Sequence, residues 1–483
     1  MRRKKNRHSA ADDTRIASQT IVTGSDQRTA VSSLGKFAAC LAVALVVALL
    51  ARSTELDAAG RRSLFVLVLA AGLWMTEAIP AFSVAFLIMA LQIFLLGWPG
   101  GVFAKNPGDW EMFVRPFASP LIWLFFGGFT LSAAASRTGL DSWMSARLLR
   151  AVGPSPARVL FAVMALTFAF SMFMSNTATA TMMVALIVPV AGMLGRDDPF
   201  RKALYLAIPF AANLGGMATL IGSPPNAIAV GLLEGDASVG FMDWMLLGLP
   251  PALVLLVVIW GFLLIRYRST TGAVPVEHLQ QTPAEPYATT HRGVVIFVVL
   301  ATIALWMTSG LHGVPTPVVS FLPICMLTAT GILRERDIRG IPWDVLVLLA
   351  GGLSLGVGVK ETGLADWIVS SLPVDTLGAM PLAFALGYLT MILSNFMSNT
   401  AAANVLLPIA VALGAAGGSD ASLLAVPAAL AASTAMCMPI STPPNAIAFA
   451  SGALRFRDFM TGGIVAGGLA TPACVLWVWV LRG

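Results

Sequence analysis

From residue 34 to the end of the chain, long apolar runs alternate with short polar segments. A helix needs about 20 largely apolar residues to cross the hydrocarbon core of a bilayer, and many of these runs approach that length. The pattern predicts spans at 34–51, 63–79, 81–98 and 119–136, then an amphipathic piece at 139–152. Two apolar arms at 155–195 enclose a polar Ser-Asn-Thr, and a span at 202–233 is interrupted by two prolines. A span at 241–266 and a polar linker at 267–291 follow. The second half repeats the order, with spans at 293–310, 315–333 and 343–360 and an amphipathic piece at 363–372. Two arms at 380–416, a broken span at 421–454 and a span at 459–481 complete it. Each pair of arms reads as a re-entrant hairpin and each broken segment as one span. The expected fold is an all-α polytopic membrane protein with 11 transmembrane spans and two re-entrant hairpins, in halves 34–266 and 292–483. Residues 1–33 read as a cytoplasmic N-terminal tail, since the first apolar run starts well inside the chain and no small-residue cleavage site follows it.

The polar interruptions come in matched pairs. Phe173 to Ala178 (Phe-Met-Ser-Asn-Thr-Ala) recurs as Phe396 to Ala401, 223 residues later. Pro224-Pro225-Asn226-Ala227-Ile228-Ala229 recurs as Pro443-Pro444-Asn445-Ala446-Ile447-Ala448, 219 residues later. Gly127-Gly128 corresponds to Gly351-Gly352, and Thr138-Gly139-Leu140 to Thr362-Gly363-Leu364, both at an offset of 224. The chain is therefore an internal duplication. Helix breaks at corresponding places in two halves are the sequence mark of a transporter site near the bilayer midplane.

Composition and charge agree with a membrane protein. Hydrophobic residues make up 57% and charged residues 11%, where a soluble domain averages about 25% charged. The net charge of +6 is spread over loops and tail, so it signals no nucleic-acid partner. With the N-terminus inside, 23 of the 30 Lys and Arg residues fall on the cytoplasmic side, as the positive-inside rule requires. That orientation puts the C-terminus outside and makes the two repeats inverted. Reading 155–195 as a single crossing would turn Arg266, Arg268, Arg334, Arg336 and Arg339 outward. The expected location is the plasma membrane, as in a bacterial inner membrane. Cys40, Cys325, Cys437 and Cys474 lie in apolar segments without metal or disulfide spacing. The four histidines have no metal-site spacing either.

The chemistry concentrates at the four breaks. Backbone left unpaired cannot face lipid, so these segments are expected to be buried in protein or to line a wet cavity. Freed carbonyls can coordinate a cation, and helix N-termini can hold an anion. Ser, Thr and Asn side chains can serve either. No Lys, Arg or His occurs from Val159 to Gly195 or from Thr376 to Leu454, and neither hairpin contains Asp or Glu. An anion there meets no fixed cation, and a cation meets no carboxylate. The consistent solution is both together, each offsetting the other's charge, with coupled binding. Glu77, at the end of the second span, reads as a capped or paired helix end more readily than as a proton relay. The glycine pairs read as close helix contacts. No intramembrane enzyme motif is present, so the chain is read as a non-enzyme with no organic cofactor.

At these residues the chain resembles the divalent anion/sodium symporter (DASS) family of dicarboxylate, citrate and sulfate carriers. Ser175-Asn176-Thr177 and Ser398-Asn399-Thr400 match that family's paired motifs, and Thr76-Glu77-Ala78-Ile79-Pro80 matches another of its blocks. The resemblance implies a homodimer in the lipid bilayer, with an elevator-type scaffold and transport domain, carrying Na+ with a divalent anion. It implies sodium ligands at Ser171, Ser175, Asn176 and Gly222, and at Ser394, Met397, Asn399 and Ser441. It implies substrate contacts from Asn176, Thr177, Ser223 and Pro224, and from Asn399, Thr400, Thr442 and Pro443. The expected function is sodium-coupled uptake of a C4-dicarboxylate, with a sodium-independent exchanger, or citrate or sulfate as substrate, as alternatives. An anion channel fits less well, because the hairpins dead-end at the midplane.

Overall fold

Helix follows helix, and no strand occurs among the described residues. The computed structural model describes residues 32–98, 105–195, 197–276, 288–371 and 378–483. Nearly all of the expected tail, and much of the expected linker, lie outside these residues. The first half contains α1 (Ser32–Ser53), α2 (Ala58–Thr76), α3 (Ala81–Gln92), α4 (Pro120–Arg137), α5 (Leu140–Val152), α6 (Pro156–Ser171), α7 (Asn176–Met193), α8 (Phe200–Ala218), α9 (Pro224–Leu232) and α10 (Phe241–Arg266). The second contains α11 (Ala288–Met307), the short α12 (Ser309–His312) and α13 (Thr316–Val319), α14 (Phe321–Ala329), the short α15 (Glu335–Arg339), α16 (Trp343–Glu361) and α17 (Leu364–Ser370). It ends with α18 (Ala379–Phe396), α19 (Asn399–Ala416), α20 (Ser422–Ala432), α21 (Pro443–Ala450) and α22 (Phe456–Arg482). Helices α4 to α10 thus correspond one by one to α16 to α22.

Local chemistry sets the ends that hydropathy misplaced. Helix α2 starts five residues before the expected span, because the Asp57 side chain caps it by accepting from Gly60 N at 2.6 Å. It ends at Glu77, an exposed residue in the left-handed region with φ 49°. The polar Thr289, Thr290, His291 and Arg292 belong to the first turns of α11, so the linker ends before 291. Among the described residues eight helices are long and apolar enough to cross a membrane, and the molecule is an integral membrane protein. Three of the eight, α7, α18 and α19, belong to the helix–turn–helix segments that carry the two Ser-Asn-Thr motifs.

The halves interlock. Helix α3 packs on α16, and α14 on α4. Each hairpin packs on the broken helix of its own half, α6 and α7 on α8, and α18 and α19 on α20. The distal piece of each broken helix crosses over, with α9 lying on α19 and α21 on α7. The glycine pairs permit these approaches. A Cβ on Gly127 would sit 2.7 Å from Ser320 Cβ, and one on Gly351 would collide with Ala85 of α3. On the inner side, a Cβ on Gly128 would press on Ile221, and one on Gly352 would overlap the Asn404 amide. Helices α4 and α16 therefore stand between the outer helices and the hairpin-and-break assembly. Trp244 of α10 is fully buried and donates from Nε1 to Met217 O at 3.0 Å, pinning the end of α8 just before it unwinds.

Candidate cation and anion site at the paired breaks

In the first half, α6 ends at Ser171 and α7 starts at Asn176. Ser171 is fully buried. Its Oγ lies 2.6 Å from Asn176 Oδ1 and 2.8 Å from the carbonyl oxygen of Ala212 in α8. A hydroxyl carries one proton, so it cannot satisfy two acceptors fully. Three oxygens thus converge with a single hydrogen among them. The Asn176 amide is seated against Gly216, where a Cβ would come within 2.9 Å of its Nδ2 and 3.1 Å of Gly222 O. The two glycines also approach each other through their backbones.

The second half builds the same arrangement. Ser394 is fully buried. Its Oγ lies 2.7 Å from Asn399 Oδ1 and 2.9 Å from the carbonyl oxygen of Ala432. Ala432 is the last residue of α20, so its carbonyl stands at the end of the helical ladder. Met397 follows in extended backbone, φ −136° and ψ 169°, which turns it out of the helical pattern. Such all-oxygen clusters suit a hard cation. No titratable side chain lies in either hairpin tip.

Beyond each cluster the broken helix restarts at a proline pair. Asn226 Nδ2 donates across the first break to Gly216 O at 2.8 Å and Thr219 O at 2.7 Å. Asn445 Nδ2 does the same across the second, to Met438 O at 2.8 Å and Met436 O at 3.4 Å. These amides donate to carbonyls at or beside the unwound stretches, where the helical ladder is interrupted. The two broken helices also meet. Asn213 Nδ2 donates to Thr442 Oγ1 at 3.1 Å, and Ser433 Oγ donates to Ser223 Oγ at 3.2 Å.

The family described as "Citrate transporter" matches residues 71–430. The sodium-dependent dicarboxylate transporter SdcS of Staphylococcus saprophyticus is 31% identical over 84% of this chain and 83% of its own. The SdcS protein of Staphylococcus aureus strain MRSA252 is 30% identical over 84% of this chain and 83% of its own. The chain belongs to the divalent anion/sodium symporter family. This DASS protein is accordingly a membrane carrier and not an enzyme. Its fold is also similar to that of MtrF of Neisseria gonorrhoeae, with a TM-score of 0.56 at 12% identity over 86% of this chain and 97% of that one. MtrF is described as illustrating a class of antimetabolite efflux pumps.

The DASS chain brings together most of the residues singled out by its motifs. Ser171 joins Asn176, Ser394 joins Asn399, and Gly222 backs Asn176 through Gly216. Ser441 lies beside Ser394's neighbour, Asn395, to which its Oγ donates at 3.2 Å. Ser223 and Thr442 are buried between the repeats. Thr177 and Pro443 are exposed, Pro224 is half-buried, and Thr400 is buried. The side chains of Ser175, Thr177 and Thr400 make no hydrogen bond among the described residues.

Sequence reading passed over Asn213, Gly216, Thr219, Asn395 and Ser433. A signal for two of them was present, since Ala211-Ala212-Asn213 aligns with Ala431-Ala432-Ser433 at an offset of 220.

Proposed function

We propose that this protein is a sodium-coupled symporter that takes up a small divalent anion, a C4-dicarboxylate such as succinate, malate or fumarate. The observation that carries this reading is the pair of equivalent oxygen clusters, Ser171–Asn176–Ala212 and Ser394–Asn399–Ala432. Each offers a cation three oxygens and no countercharge. A dianion held between them supplies that countercharge, and the cations supply what the anion lacks. The sodium-dependent dicarboxylate carriers among the relatives support the same pairing.

In this reading one sodium ion is held by Ser171, Ser175, Asn176 and the Gly222 backbone. A second is held by Ser394, Asn399 and the backbones of Met397 and Ser441. The anion lies between Asn176 and Thr177 on one side and Asn399 and Thr400 on the other, with Ser223, Pro224, Thr442 and Pro443 at the restarting helices. The two hairpins are re-entrant and the span count is 11. The repeats are inverted, the N-terminus is cytoplasmic and the C-terminus is outside. The hairpins, broken helices, α10 and α22 form a transport unit that moves as an elevator against a dimeric scaffold. Two or more sodium ions per dianion let an inside-negative potential assist uptake or leave it unopposed, at about 2.3 kcal/mol per net charge per 100 mV.

The test is uptake of labelled succinate by proteoliposomes, with malate, citrate and sulfate as competitors. Uptake is expected to be steep in sodium and near background in potassium or choline. Uptake that persists without sodium and is driven by internal succinate would make the protein an exchanger. Competition by citrate or sulfate stronger than by malate would reassign the substrate.

A further inference from the structure

The contacts between the two broken helices have a polarity. Thr442 Oγ1 accepts from Asn213 Nδ2 at 3.1 Å and from the backbone N–H of Asn445 at 3.4 Å. Both donors are nitrogens, so both bonds use lone pairs and neither uses the hydroxyl proton. Thr442 is 3% exposed, and its hydroxyl donates to no acceptor among the described residues. Ser223 is 2% exposed and repeats the pattern. Its Oγ accepts from Ser433 Oγ at 3.2 Å and donates to no described group. A buried donor with its proton unspent stands out, because buried polar groups are nearly always paired. Two of them, at equivalent places in two repeats, point to an external group that only accepts.

Asn213 and Ser433 occupy equivalent positions but differ in what they enforce. The Asn213 NH2 group can only donate, so it holds Thr442 as an acceptor toward itself and a donor outward. The Ser433 hydroxyl can rotate and reverse its bond. Asn213 is 1% exposed, and its Oδ1 has no partner among the described residues. Its amide is therefore not consumed in a wider structural network.

We infer that Asn213, whose counterpart in the second repeat is Ser433, is a positioning residue that fixes the polarity of the Thr442 hydroxyl, so that Thr442 presents its O–H to an acceptor-only anion. Asn213 acts through Thr442 and needs no contact with the anion itself. This inference rests on the anion-carrier reading given above, and it adds a residue pair that none of the motifs contains. It also makes the two ends of the site unequal. The Thr442 end demands an acceptor, while the Ser223 end tolerates either polarity.

The test uses the full-length protein purified in detergent, with melting temperature followed against succinate at saturating sodium, and against sodium without succinate. Asn213→Asp keeps the size of the side chain but turns the contact around, since a carboxylate accepts from Thr442 and draws its proton away. Half-saturating succinate is expected to rise at least about tenfold, about 1.4 kcal/mol at room temperature. Half-saturating sodium without succinate is expected to change less than about twofold. Asn213→Ser retains a group able to donate and should bind succinate within about threefold of wild type. Charge repulsion alone could also weaken Asn213→Asp, so the deciding arm is a double-mutant cycle. With Thr442→Val already in place, adding Asn213→Asp should cost less than about threefold more. A full tenfold further loss in that background overturns the inference, as does wild-type succinate affinity in Asn213→Asp. If Asn213→Asp does not fold, Asn213→Ala takes its place in the same cycle and the same two outcomes overturn the inference. A wild type that responds to neither succinate nor sulfate overturns the anion reading itself, and the inference with it.

Discussion

In the first half, residues 172–175 are unwound at the hairpin tip and residues 219–223 at the break of the following helix. In the second half the unwound stretches are 397–398 and 433–442. One repeat spends its irregular backbone more evenly, and the other concentrates it in the broken helix. The braces follow that difference. Thr219 Oγ1 donates to Met172 O in the first half, a side chain to a backbone carbonyl. In the second half Asn395 stands where Met172 stands in the first. Its Oδ1 accepts from Cys437 N at 2.8 Å and from Ser441 Oγ at 3.2 Å, and its Nδ2 ties back to Met391 O at 2.9 Å. The longer loop needs an acceptor of its own, because more of its N–H groups have left the helical ladder. The hairpin tips differ as well. Ser398 caps α19 by accepting from Ala401 N at 3.2 Å, whereas Ser175 makes no such bond to α7. What the repeats share is the Ser–Asn pair and the carbonyl it faces. The duplication preserved this three-oxygen cluster and let each half find its own way to hold it.

The sharpest way to break this comparison is at Gly216, which has no equivalent brace in the second half. Gly216→Ala puts a Cβ 2.9 Å from the Asn176 amide and 3.1 Å from Gly222 O. Overpacking of this kind costs about 1–3 kcal/mol, so half-saturating sodium should rise roughly ten- to hundredfold. Alanine favours helix over glycine, so a loss cannot come from backbone propensity. Wild-type sodium dependence in this variant would mean that Asn176 is not held as described.

Asn395→Met gives the second half the residue of the first. The Cys437 N–H and the Ser441 hydroxyl lose their side-chain acceptor, and a buried group left unpaired costs about 1–3 kcal/mol. Melting temperature should fall and sodium affinity weaken about tenfold. The reverse exchange, Met172→Asn, should change both little, since Thr219 already serves the backbone there. Equal effects from the two exchanges would erase the distinction between the halves.

The bracing amides should give a smaller and graded result. Asn226 makes two bonds of 2.8 and 2.7 Å, while Asn445 makes one of 2.8 Å and one of 3.4 Å. Asn226→Ala should therefore lower thermal stability more than Asn445→Ala, by about 1–2 kcal/mol against about 1 kcal/mol. Succinate affinity of the folded fraction should stay within about threefold. Thermal unfolding with succinate titration on the same samples checks both.

The smallest effect belongs to ion pairs at the ends of the equivalent helices α4 and α16. Lys360 and Glu234 are 2.8 Å apart, but their side chains are 63% and 73% exposed. Arg137 and Asp337 are 3.3 Å apart at 19% and 17% exposure, and Arg137 also donates to Ile332 O. Exposed pairs contribute about 0–1 kcal/mol. Lys360→Gln should thus leave melting unchanged within error, and Arg137→Gln should lower it measurably, less so in high salt.

The duplicated motifs made the candidate positions legible because Ser-Asn-Thr and Pro-Pro-Asn are improbable inside apolar runs, and doubly so at matched offsets. They also placed the ends of α7, α9, α19 and α21 closely, since the Ser and the proline pair mark helix starts. The unequal breaks were not legible. The long break after α20 is held by Asn395 of α18, a tertiary contact that leaves no trace in local periodicity. Asn213, Gly216 and Ser433 are single small or polar residues within apolar helices. On sequence alone they resemble ordinary helix-packing positions. Only the fold reveals that two of them face the opposite break and that the third seats the Asn176 amide. The ends of α2 and α11 were misplaced for a simpler reason. Asp57 and the Thr-Thr-His-Arg run are polar, and hydropathy counts them as loop although they sit in or cap helical turns.

The central claim is that Asn176 and Asn399 each serve one cation and one end of the anion. Its most direct test is paired sodium and succinate titrations of transport by Asn176→Ala and Asn399→Ala in proteoliposomes. Each substitution removes an acceptor for the cation and a donor for the anion, so both half-saturating concentrations should rise about tenfold or more in both variants. Wild-type affinity for sodium and succinate in both variants would contradict the account, and the paired tips would not be the site.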